Sequence, residues 1–184
     1  MNIWRRLSRG RNNTSGEQGQ SLLETAIGIP LMLGLAFNAI NIGYFWFMML
    51  TLSAAPRQGV QYATQGGQAS GTIPPPGTTA VSNLVYDNLT NSIKGASPSN
   101  AAVQVCSNAK GVTGTGANQV SLCDTFGPSF SYSAVAADPE APIYVLNRVD
   151  VVYTVKPIIP GSAFMVVLPS NLRFHRQVSM RSLY

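Results

Sequence analysis

Charge is scarce in this chain of 184 residues: only 10% are Asp, Glu, Lys or Arg, and the acidic residues number just seven. Histidine occurs once, as His175, and cysteine twice, as Cys106 and Cys123. The cysteines have neither CxxC spacing nor companion histidines, which excludes the common zinc sites. No G-x-S-x-G elbow, phosphate loop or metal-ligand cluster is present. Glu17 and Glu24 lie near the N terminus, and Asp138 and Glu140 flank a proline in a turn-like stretch. Carboxylates so dispersed are poor material for paired acid–base work. The chain is therefore expected to be no enzyme and to need no cofactor, with an anchored hydrolase of dispersed site as the remaining catalytic alternative.

Basic residues bring the net charge to +5, but four of the twelve (Arg5, Arg6, Arg9 and Arg11) crowd the first eleven positions. The others are scattered without interleaved aromatics, which argues against a nucleic-acid partner. A basic cluster of this kind is instead the flank that stays cytoplasmic beside a membrane span.

Such a span follows. Residues 25–52 carry no formal charge and are dominated by Ile, Leu, Met, Phe, Ala and Gly. As a helix the run measures about 42 Å, more than the ~30 Å hydrocarbon core. Pro30 removes one backbone donor and predicts a kink or loosened turn. Asn38 and Asn41 call for hydrogen-bond partners, and Tyr44 and Trp46 suit the far interface. A secretory signal fits less well, because its apolar core is usually about 7–15 residues. With the basic flank inside, the C-terminal bulk is exported. There Cys106 and Cys123 are expected to form a disulfide, two buried thiols being the alternative in a reducing compartment.

One carboxylate, Glu24, sits at the start of this apolar run. A short basic leader, Gly19, the four residues QSLL, then Glu24 and a long apolar helix resemble the processing signal of type IV pilin-like proteins. Residues 24–30, ETAIGIP, are similar to the E-x-A-x-x-x-P opening of TadE-like proteins, minor pilins or pseudopilins of the tight-adherence (Tad, Flp-type) pilus. Residues 41–44 (NIGY) resemble that family's polar-x-G-aromatic segment, and residues 54–63 (AAPRQGVQYA) its A-A-R-x-G-A-R-x-A pattern. Residues 149–157 and 178–181 are similar to its closing strands. The likeness covers 19–63 well and 147–182 fairly. Thr25 departs from it, standing where many pilin-like signals carry Phe or Tyr, and Pro56 interrupts the second motif, where a bend is expected.

The resemblance implies cleavage between Gly19 and Gln20 by a membrane-embedded prepilin peptidase. It implies that Glu24 pairs with the newly exposed amine and so sets subunit register. Its implied partners are other pilin or minor pilin subunits and the inner-membrane assembly platform. The implied location is a bacterial inner membrane, crossed once, with possible incorporation in a pilus. An uncleaved single-span envelope or binding protein is the alternative.

The expected fold is α+β, a long N-terminal helix followed by a small head with one helix and an antiparallel sheet. The boundaries are a leader over 1–19, a long helix over 20–65, a Gly/Pro-rich linker over 66–77 and the head over 78–184. Apolar positions 81, 84, 85, 89 and 93 have helical period, with Thr78 or Thr79 as N-cap. Residues 101–106 and 148–155 alternate as strands, and 172–181 alternate if a bulge intervenes. Residues 107–122 read as a loop stapled by the cysteines, and 129–143 as irregular. Residues 157–169 are more apolar than a surface loop and could be core, membrane-facing or an interface.

Overall fold

The computed structural model describes residues 14–68, 74–159 and 172–183. The basic cluster at 5–11 and most of the apolar 157–169 stretch lie outside them. The architecture is α+β, as expected. Helix α1 spans Thr14–Gln68 without interruption, a length of about 80 Å. It starts inside the stretch read as leader and runs on through Gly66 and Gly67. It also passes unbroken through Pro30 and Pro56, although each proline removes an amide donor. At Pro56 the loss is outweighed by packing, because Leu52, Ala55 and Val60 on that face are fully buried.

Those residues belong to a narrow stripe. Asn41, Phe45, Met48, Leu52, Ala55, Val60 and Ala63 are all buried, recurring every three to five positions as one helix face must. The stripe packs on helix α2 (Thr78–Ser92) and on strands β5 (Tyr144–Val155) and β6 (Leu172–Leu183). Gly59 allows the closest approach. A Cβ built there would stand 2.5 Å from Val85 Cγ2 and 3.4 Å from Val149 Cγ1.

Helix α2 buries Val81, Val85 and Leu89 with the expected period. Its N-cap is Gly77, in extended conformation, rather than either threonine. The Thr78 hydroxyl is drawn away to donate to Asp124 Oδ2 at 2.6 Å, so it is spent on a tertiary contact. The remaining strands are β1 (Ala101–Cys106), β2 (Val112–Thr113), β3 (Val120–Ser121) and β4 (Cys123–Phe126). Four strands form one antiparallel sheet in the order β4-β1-β5-β6, while β2 and β3 pair separately. The stretch between the cysteines is thus a small hairpin rather than a bare loop.

Cys106 and Cys123 are disulfide-bonded and sit directly opposite each other in the β1–β4 register. Closing a loop of 17 residues stabilises the fold by about 3 kcal/mol in the chain-entropy picture. Just beyond β4, Gly127 has φ +81, and a Cβ there would run into the Ala101 carbonyl oxygen. Strand β6 pairs with β5 over twelve consecutive positions, Tyr144↔Leu183 through Val155↔Leu172. The bulge anticipated from sequence is absent. Instead Arg176 shares the face of Phe174 and Val178 at the sheet edge, half-buried, where a long basic side chain can reach outward.

Candidate functional site

Among the described residues, nothing packs over the apolar side chains at the N-terminal end of α1. Leu22, Leu23, Ile27, Leu31, Met32 and Leu35 are exposed, Leu22 to 72%. Residues 19–65 form a segment long and apolar enough to cross a membrane. Gly19, Gln20 and Glu24 lie on exposed turns of this helix, and nothing stands within 4 Å of a Cβ at Gly19. Glu24 makes no ion pair with any described residue. Locally, Thr25 Oγ1 donates to the Ser21 carbonyl at 2.8 Å and Asn38 Nδ2 to that of Gly34 at 2.8 Å.

Asn41 marks where the bare helix ends and the head begins. It is fully buried, its Nδ2 donating to the Ile159 carbonyl at 3.4 Å and its Oδ1 accepting from the Ile159 amide at 3.3 Å. The carboxamide thus lashes the chain leaving β5 to α1, one residue type satisfying both polar groups of a single peptide position. A partner of the kind Asn41 calls for thus lies in the same chain. One turn on, Phe45 meets the Phe174 ring at 6.2 Å between centroids. Residues 19–40, exposed along most of their length with Phe37 and Asn38 half-buried, then measure about 33 Å as a helix, close to the thickness of a hydrocarbon core.

A second constellation lies on the sheet face opposite the helices. Asp150, fully buried, has its Oδ1 2.8 Å from His175 Nε2 and its Oδ2 2.7 Å from Arg148 Nε. The Arg148 guanidinium also donates to the carbonyls of Ser133 at 2.6 Å and Ala134 at 3.0 Å, and to Gln104 Oε1 at 2.9 Å. Phe130 and Tyr132 pack on the His175 ring, with centroids 5.7 and 6.1 Å away. The Tyr132 hydroxyl is pushed upward in pKa, first by burial and then by the Asp150 charge. Further along, buried Asp138 meets Arg181 Nε at 2.8 Å, and Glu140 lies 3.5 Å from the same guanidinium.

These contacts pin the irregular segment 127–143 over the sheet. Buried charges of this kind are tolerated when paired and hydrogen-bonded. Sequence reasoning gave Arg148 and Asp150 no role, while His175 itself is exposed. The available signal was the R-V-D alternation at 148–150, which puts two opposite charges on one strand face.

The geometry therefore defines a class: a long apolar helix, largely exposed over its first half among the described residues, carrying a disulfide-bonded α+β head lashed to its second half. Comparison with known protein families, curated proteins and solved structures finds no match.

Proposed function

We propose that the chain is a TadE-like minor pilin or pseudopilin that takes part in assembly of a Tad-type adhesive pilus after a prepilin peptidase cuts between Gly19 and Gln20. One observation carries this reading. The G-x4-E signal at 19–24 lies on the exposed part of α1, at the start of the bare apolar stretch that ends at Asn41. A subunit that must leave the bilayer and pack against others needs such a helix, with its hydrophobic surface uncommitted to its own head. The basic leader orients the N terminus to the cytoplasm of a bacterial inner membrane and sends the disulfide-bonded head outward.

Glu24 sits at the membrane edge, where burial costs less than the ~2.5–3.5 kcal/mol of the bilayer centre. In this account it pairs with the amine of the new N terminus, on its own chain or a neighbour, and sets axial register among subunits. The assembly partners are other pilin or minor pilin subunits and the inner-membrane platform. The test is Glu24→Leu, with the chain quantified in sheared surface filaments and in membranes. Normal leader removal with loss of the chain from the filament fraction is the expected result. Unchanged filament content would remove the register role.

A further inference from the structure

The end of the sheet nearest the bare helix has its own surface chemistry. Strand β5 finishes at Val155, opposite Leu172, the first residue of β6. Lys156 follows, exposed, then Pro157 and Ile158, which is 57% exposed, and then Ile159, tied to Asn41. Arg173, also exposed, stands across from Thr154. Neither Lys156 nor Arg173 has a salt bridge among the described residues. The carboxylates of Asp124, Asp138, Glu140 and Asp150 are instead engaged by Lys110, Arg181, Arg148 and His175. An exposed isoleucine thus stands two residues past Lys156 at the sheet end that also carries Arg173, and next to Ile159, which Asn41 holds at the level where α1 leaves the head.

We propose that this end of the head is seated on the phospholipid surface, with Ile158 entering the interface and Lys156 and Arg173 contacting anionic headgroups. The inference rests on α1 crossing a membrane and is independent of leader cleavage or pilus assembly. If residues 19–40 fill the hydrocarbon core, Asn41 lies at its boundary, and the residue bonded to it cannot be far from the headgroups. On α1 itself, Ile42 and Trp46 are exposed just past Asn41, continuing the apolar surface of the span into the interfacial layer. Basic side chains near an anionic surface each favour contact about fivefold, so two of them give the seating a dependence on lipid charge. The head would then be held at two points, the peptide lashing at Asn41 and the membrane contact, instead of swinging on a single helix.

The experiment uses the full chain in nanodiscs, with Trp4 and Trp46 replaced by Phe and one reporter indole added as Ile158→Trp. Two companions carry the reporter elsewhere, as Ile143→Trp at the opposite end of the sheet and as Leu33→Trp within the span. Emission is read with lipids brominated near the headgroup or deep in the chains, in phosphatidylcholine with and without phosphatidylglycerol. The Ile158→Trp reporter should lose at least about half its emission to shallow bromines in the anionic bilayer, and Lys156→Glu with Arg173→Glu should largely restore it. The Ile143→Trp reporter should be unaffected, and Leu33→Trp should respond to the deep bromines. An Ile158→Trp reporter as unresponsive as Ile143→Trp, with Leu33→Trp still quenched, would overturn the seating while leaving the span intact. Quenching indifferent to lipid charge and to the charge reversals would overturn the headgroup contact. An unquenched Leu33→Trp reporter would remove the span and the proposal together.

Discussion

Replacing Gly59 by alanine sets two effects of known size against each other. Alanine gains about 1 kcal/mol over glycine from helix propensity. Its methyl group, however, would stand 2.5 Å from Val85 Cγ2, with Val149 Cγ1 at 3.4 Å. Val85 and Val149 are both fully buried, so neither side chain has space to retreat. Overpacking of this kind costs about 1–3 kcal/mol. The net expectation for Gly59→Ala is a destabilisation of up to about 2 kcal/mol. Gly43→Ala supplies the contrast, because nothing lies within 4 Å of a Cβ there and only the propensity gain of up to about 1 kcal/mol remains. Val85→Ala deletes the clashing methyl, so the double substitution Gly59→Ala/Val85→Ala should be more stable than the sum of its parts by about 0.5–3 kcal/mol. Denaturant unfolding of the full chain in detergent, followed by near-ultraviolet circular dichroism, gives all four stabilities. A Gly59→Ala chain as stable as Gly43→Ala, or strict additivity with Val85→Ala, would refute the close packing of α1 on α2.

Two further outcomes follow from the charged groups. Asp150→Ala should destabilise the head by about 3–5 kcal/mol in the same unfolding assay, because it strands the Arg148 guanidinium in a buried site; a loss below 1 kcal/mol, on the order of a surface pair, would mean that water reaches the cluster. The Asp124 carboxyl is held below its ordinary pKa of 3.8 by the hydrogen bond from Lys110, then by that from Thr78. A depressed folded-state pKa stabilises fully above the unfolded value and is lost as pH falls through the folded one. The stability difference between the parent chain and Asp124→Asn should therefore be constant at neutral pH and shrink in acid below 3.8; a difference that grew on acidification would contradict the assignment.

The parts of the fold legible in the sequence were those with a strong apolar pattern, whether buried on one side, as α2 is, or along nearly the whole strand, as β1 and β5 are. Helix α2 showed its period because one stripe faces the sheet, and β1 and β5 showed theirs through runs of valine. The stripe on α1 from Asn41 to Ala63 was hidden, because an apolar run of this kind looks alike on every side, and only the fold distinguishes the face that meets the head. The Arg148–Asp150–His175 cluster was hidden for the opposite reason. Alternation marks charged positions as the solvent face, but the covering segment 127–143 has no periodicity of its own to reveal that it lies there. The threonine cap of α2 failed because a long-range carboxylate competes for the Thr78 hydroxyl. The bulge in β6 was unnecessary because an arginine at a sheet edge can share a face with apolar neighbours. Gly59 was visible as part of a motif, yet its reason, the methyl groups of Val85 and Val149, exists only in three dimensions.

The measurement closest to the central claim is the intact mass of the membrane-extracted chain, taken from cells with and without the prepilin peptidase. Peptidase-dependent loss of residues 1–19, leaving Gln20 as the first residue, is the result the account predicts. A full-length mass in both strains would contradict it, leaving a permanently anchored envelope protein whose Glu24 has no new amine to meet.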